Sequence, residues 1–285
     1  MCSLVARISA FVLVLALLAG TAFCGSAQKL MDRAMKYWER RDEMKSLTKA
    51  IALFELVLKS NPNPELERKT RLLLSRAYYW YGNSLDPRQR KARIEAYTKG
   101  MDVLKPLLDA DPKDHEANFW YTVNLSSRGR EVGVLKSAFL LPEVLERMKI
   151  VEQKDKWYFY GGPNRLYARM IQKSPSFIRK AKGYDLSDAE RLLKANIERF
   201  PFMFMNRLFL AEIYVEEGRI GDACRELNII VQSDPGDNPD YAANNRRDKK
   251  RARKLLQELR SKYPLECGEP ARAERSAESS GQAGR

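Results

Sequence analysis

Apolar and polar positions along this chain repeat with a helical period, and one spacing recurs. A small residue is followed four positions later by a large apolar residue, and eight positions after that by proline. The frame is Ala189, Leu193 and Pro201, and again Ala223, Leu227 and Pro235, 34 residues further on. It recurs as Ala50, Phe54 and Pro62, as Gly100, Leu104 and Pro112, and as Ala252, Leu256 and Pro264. Val144, Met148 and Lys156 keep it without the proline. Each position has a physical reason. The small residue lets two helices approach, the apolar residue one turn on fills the groove beside it, and proline stops the helix. Between the first two frames, Leu210, Ala211, Tyr214 and Gly218 give an apolar residue, a small residue, an aromatic and a turn glycine.

A 34-residue period of this kind is that of the tetratricopeptide (TPR) repeat, a helix–turn–helix unit. One such hairpin cannot bury its own apolar face, so hairpins must stack. No alternating run bounded by turn signals argues for strands. The expected fold is all-α: a TPR-like helical-hairpin solenoid, a right-handed superhelix with a central pore or groove, over residues 28–265. Helices are expected over Leu66–Tyr81, over Ala117–Arg128 closed by Gly129, and over Tyr241–Lys262 as one helix or a pair. Ser187 is the expected cap of the helix carrying Ala189, with Glu190 completing a capping box. Pro163 suits the first turn of another helix.

The ends read differently. Arg7, the apolar run Phe11–Ala19 and the small residues after it make residues 1–27 an export signal. Two processing readings are open: lipidation at Cys24, or ordinary cleavage after Ala27. Both place the protein outside the cytoplasm, in the periplasm or anchored to the envelope membrane as a lipoprotein. Residues 266–285 are Glu, Ala, Ser, Gly and Arg with almost no large apolar side chain, and disorder is expected there.

The chain has 285 residues and a net charge of +14, which favours anionic partners. Export removes intracellular nucleic acid from that class. Arg246, Arg247, Lys249, Lys250, Arg251, Arg253 and Lys254 form a basic run, read as the solvated face of a capping helix. Contact with anionic headgroups or an acidic partner is the alternative. Catalysis has little support. The single histidine, His115, sits at a helix start, and no metalloprotease, nucleophile-elbow, phosphate-loop or dinucleotide pattern occurs. No catalytic residue, metal or cofactor is expected. Export permits a disulfide between Cys224 and Cys267, but Cys224 adjoins the packing residue Ala223, and a buried free thiol is the preferred expectation.

Four segments carry a more specific likeness: SRAYYWYGN (75–83), ANFWYTVNL (117–125), YFYGGPNRLY (158–167) and FPFMFMNRLFLAEIY (200–214). With the helices linking them, residues 30–235 resemble the T-component of tripartite ATP-independent periplasmic (TRAP) transporters. The YGGPNR element is the most specific part, because a generic helical-hairpin array has no reason to contain it. The resemblance implies a non-enzymatic, trimeric accessory subunit that docks the periplasmic solute-binding protein and binds a small hydrophobic or carboxylate ligand. The membrane would be reached only through a lipid anchor at Cys24. First helices line the concave face of a TPR array, so an aromatic lumen is expected. Its candidates are Tyr78, Trp80, Tyr81, Asn83, Phe119, Trp120, Asn124, Tyr158, Tyr160, Gly161, Gly162 and Arg165. The alternative is a general TPR scaffold in envelope assembly.

Overall fold

The computed structural model describes residues 26–133 and 139–268. The lipidation candidate Cys24, the apolar run Phe11–Ala19 and the chain from residue 269 lie outside them. Among the described residues, all regular structure is helical. Helix α1 covers residues 26–38. It is followed by α2 (Met44–Lys59), α3 (Pro64–Ser84), α4 (Arg90–Asp102), α5 (Lys105–Ala110), α6 (His115–Val132) and α7 (Leu141–Asp155). Next come α8 (Tyr158–Lys173), α9 (Ser176–Ala181), α10 (Leu186–Arg199), α11 (Phe204–Glu216), α12 (Ile220–Gln232), α13 (Ala242–Lys262) and α14 (Pro264–Cys267). The chain divides into two compact units, Met1–Tyr158 and Phe159–Arg285.

In the first unit α2 packs on α3, α3 on α4, α4 on α6 and α6 on α7. In the second, α10 packs on α11, α11 on α12 and α12 on α13, with α11 also meeting α13. Neighbour-on-neighbour packing of this kind is what stacked hairpins produce. The repeated frame supplies the contacts. Ala50, Phe54, Leu104, Val144, Met148, Ala189, Leu193, Ala223, Leu227, Ala252 and Leu256 are all buried, and so is Gly100. The helices also stop where the frame requires. Those ending at Lys59, Ala110, Arg199, Gln232 and Lys262 finish two or three residues before Pro62, Pro112, Pro201, Pro235 and Pro264.

Some boundaries differ from expectation. The capping box of α10 is built by Asp185 and Asp188, two residues ahead of Ser187 and Glu190. A carboxylate one turn before the apolar stripe takes both free amides, and Ser187 lies inside the helix. Helix α6 runs through Gly129 and is closed by Gly133. Tyr241–Lys262 is one helix. Its basic run is partly spent on the fold: Lys249 donates to the Ser233 carbonyl at 2.6 Å and Arg251 pairs with Glu212 at 3.2 Å. Cys224 and Cys267 form a disulfide, which overturns the expected free thiol. After Pro264 the short α14 turns back against α12, and this brings the two cysteines together. At the other end, α1 is already helical at residue 26, and Ala27 is completely buried.

Candidate functional site

The YGGPNR element is built around a turn of the wrong hand. Phe159, Tyr160 and Gly161 have φ, ψ of 51, 46, of 56, 52 and of 76, 34. Three consecutive left-handed residues, two of them aromatic, cost about 1–2 kcal/mol each for the non-glycine pair. Such a turn persists only where its surroundings over-determine it.

Arg165 and Asn196 do so. Arg165 is buried, and its guanidinium donates to the Phe159 carbonyl at 2.6 Å, to the Tyr160 carbonyl and to Met203 Sδ at 2.8 Å. Asn206 Oδ1 lies 3.4 Å away. Asn196, fully buried on α10, donates to the Gly161 carbonyl at 2.8 Å and accepts from Asn164 at 2.9 Å. Pro163, buried, resumes the right-handed helix.

The turn aims its rings at a cluster. Tyr160 meets Phe200, Phe202 and Tyr241 at 5.6, 5.2 and 5.2 Å between ring centres. Phe159 meets Tyr241 at 5.5 Å. Edge-on geometry dominates, as ring quadrupoles favour. Phe200 and Phe202 flank the frame's Pro201. Asn245 fixes that loop, donating to the Phe202 carbonyl at 2.9 Å and accepting from the Phe204 amide at 3.3 Å. Tyr241 is buried, while Tyr160, Phe200 and Phe202 are half-buried.

The other candidates lie in the first unit. Trp80 is buried beneath the Arg41 guanidinium, 5.3 Å from its ring. Phe119 and Trp120 are buried 5.2 Å apart, with Tyr158 5.1 Å from Phe119. Asn124 is buried on Gly100, and its amide donates to the Ser75 hydroxyl at 3.1 Å and the Trp120 carbonyl at 3.0 Å. Asn83 donates back to its own helix at Tyr79. Tyr78 donates to Glu55, and Tyr158 to Glu116 at 3.2 Å. Burial first, then these carboxylates, pushes both phenols up. Tyr81 is half-buried against the unit's core.

Of the expected lumen residues, Trp80, Phe119, Trp120, Asn124, Gly161, Gly162 and Arg165 are buried. Two of them have polar groups held within their own unit: the Asn124 amide nitrogen by the Ser75 hydroxyl and the Trp120 carbonyl, and the Arg165 guanidinium by the Phe159 and Tyr160 carbonyls. Phe200, Phe202, Asn196 and Asn206 were not among the candidates. The FPF triplet beside a frame proline, and asparagines at buried helix positions, were the available signals.

His115 packs 5.3 Å from Tyr158. Among the described residues no group of three or more His, Cys, Asp or Glu side chains gathers where a metal ion could be held. No described helix is long and apolar enough to cross a membrane.

No protein-family model matches this chain, and no curated protein does. Among solved structures it is similar to a thermophilic TPR protein of Thermus thermophilus, with a TM-score of 0.53 and 17% identity over 80% of this chain and 100% of that one. The fold is TPR-like. At that identity the likeness speaks to architecture alone, and an array of stacked helical hairpins is in general a surface for protein partners.

Proposed function

We propose that this chain is a non-enzymatic, extracytoplasmic docking subunit of a TRAP-type solute uptake system, and that its partner is the periplasmic solute-binding protein. One observation carries the reading. The YGGPNR element, on which the family resemblance chiefly rests, is a strained turn clamped by a buried arginine. A helical-hairpin array needs no such turn merely to stand. Its product is a rigid set of half-buried rings, Tyr160, Phe200 and Phe202, and aromatics on a fixed backbone are favoured anchors at protein interfaces. Docking is preferred to a ligand-filled lumen because Trp80, Phe119, Trp120, Asn124 and Arg165 are occupied by their own neighbours.

Export is part of the proposal. Complete burial of Ala27 supports processing upstream of it, since cleavage after Ala27 would remove a core side chain. That favours Cys24 as the mature N-terminus over ordinary cleavage.

The test is titration of the purified chain against the solute-binding protein encoded beside a TRAP permease in the same genome. Binding is expected, weakened at least about tenfold by Tyr160→Ala with Phe202→Ala. Absence of binding, together with capture of envelope-assembly factors instead, would make the chain a general scaffold.

A further inference from the structure

The second unit carries an exposed tip that neither the fold nor the docking proposal uses. Residues 173–184 read KSPSFIRKAKGY, with four basic residues and no acidic one. The sequence reads as an insertion, and the structure folds it into the short helix α9 with a built C-terminus. The Gly183 amide donates to the Lys180 carbonyl at 3.1 Å, and the Tyr184 amide to that of Arg179 at 3.0 Å. Gly183 has φ of +72, which is the left-handed cap that this pairing needs. Arg179 holds the tip from behind. It donates to the Ser174 carbonyl at 2.9 Å and reaches Glu216 of α11 at 3.4 Å.

The remaining large side chains point outward. Phe177 is 71% exposed and Tyr184 54%. Lys173, Lys180 and Lys182 are exposed as well. An exposed ring is ordinary when it is single, but two on one clamped turn, with exposed lysines on the same segment, ask for a partner. The chemistry they ask for is specific. Aromatic rings settle at the headgroup level of a bilayer, and lysines are drawn to an anionic leaflet while their stems stay in the apolar boundary. The core of a protein interface is depleted in charged residues, lysine included. Here two separate rings share a segment with lysines, on a chain of net charge +14.

We infer that Phe177 and Tyr184, with Lys180 and Lys182, form a peripheral contact with an anionic phospholipid surface. Insertion is shallow: two rings enter the headgroup region and the lysines neutralise lipid phosphates. The contact is independent of any acyl chain at Cys24 and of the protein partner.

The experiment places an environment-sensitive nitrobenzoxadiazole label at Ser176→Cys in a chain that begins at Gly25, so that neither an acyl anchor, the apolar run nor the thiols of Cys2 and Cys24 contribute. Phosphatidylglycerol vesicles are expected to shift the emission to the blue, and phosphatidylcholine vesicles are not. The shift is expected to fade with added salt. Lys180→Glu with Lys182→Glu should raise the phosphatidylglycerol concentration at half-shift by at least about 25-fold, taking about fivefold per lysine. Both lysines are exposed, so an unchanged melting curve certifies the fold of the variant. No shift on phosphatidylglycerol, an equal shift on phosphatidylcholine, or indifference to the charge reversals would overturn the inference. A label silent toward vesicles but responsive to the solute-binding protein would also overturn it, and would assign the tip to protein docking.

Discussion

Asn196 occupies the space that a Cβ on Gly161 would need, and its amide donates to the carbonyl of that same glycine at 2.8 Å. The residue with no side chain and the residue that fills its place are therefore one device. Gly161→Ala meets two costs at once: a left-handed φ of +76 and a clash with a fully buried amide. Together these are expected to destabilise the chain by roughly 2–4 kcal/mol. Asn196→Ala removes the clash along with the hydrogen bond. The double variant should then lose less than the two single losses added, by about 1 kcal/mol or more, in urea unfolding. Strict additivity would mean that the two residues do not share the site.

Arg165 is expected to be irreplaceable by lysine. Its planar guanidinium reaches two carbonyls of the left-handed turn together with Met203 Sδ. A lysine keeps the charge and loses the fork. It leaves the Phe159 or the Tyr160 carbonyl without its donor, and a buried cation with fewer acceptors. Arg165→Lys should cost about 2–3 kcal/mol in denaturant unfolding. If the turn presents the docking rings, the variant should also weaken partner binding at temperatures where it remains folded. Full binding by a folded Arg165→Lys chain would detach the turn from docking.

The hairpin array was legible because its cause is local. A small residue, an apolar residue and a proline at fixed spacing dictate both where a helix packs and where it stops. The buried set of Ala50, Phe54, Ala189, Leu193, Ala223 and Leu227 follows directly. The site was legible as a sequence and not as a geometry. Aromatic residues avoid the left-handed region, so nothing in FYGG announces that Phe159 and Tyr160 enter it. The donors that hold them there come from Arg165 and from Asn196, 35 residues beyond Gly161. The same distance problem hid the aromatic partners Phe200, Phe202 and Tyr241. The cap of α10 was missed for a local reason: Asp185 outcompetes Ser187 because its carboxylate reaches two free amides.

The disulfide is expected to stabilise the second unit substantially. It links cysteines 43 residues apart and ties α14 to α12. Closing a loop of that length removes about 3–4 kcal/mol of unfolded-state entropy in the chain-entropy account. Cys267→Ser, or reduction of the parent with dithiothreitol, should therefore lower the unfolding midpoint. The two treatments should not add, since they remove the same link. A parent chain whose melting is indifferent to reductant would count against the bond.

Tyr97 is expected to contribute to an alkaline limit on the first unit, beside Tyr78 and Tyr158, whose phenols burial also pushes up. It is fully buried in α4 with its ring against Gly82, and its hydroxyl has no hydrogen-bond partner among the described residues. Burial pushes the phenol up to about 12, tempered by Arg93 and Arg130. The folded value lies above the unfolded one near 10, so the contribution is intact below pH 10 and is lost as pH rises from 10 to 12. The loss amounts to about 2–3 kcal/mol for this group. Tyr97→Phe removes the titration and the unpaired hydroxyl together. At neutral pH it should be neutral or stabilising by up to about 1 kcal/mol, and it should flatten the decline in stability between pH 10 and 12. Urea midpoints measured across that window for parent and variant decide it. A phenylalanine variant weaker than the parent at pH 7 by more than about 1 kcal/mol would mean that the hydroxyl is bonded in the folded chain.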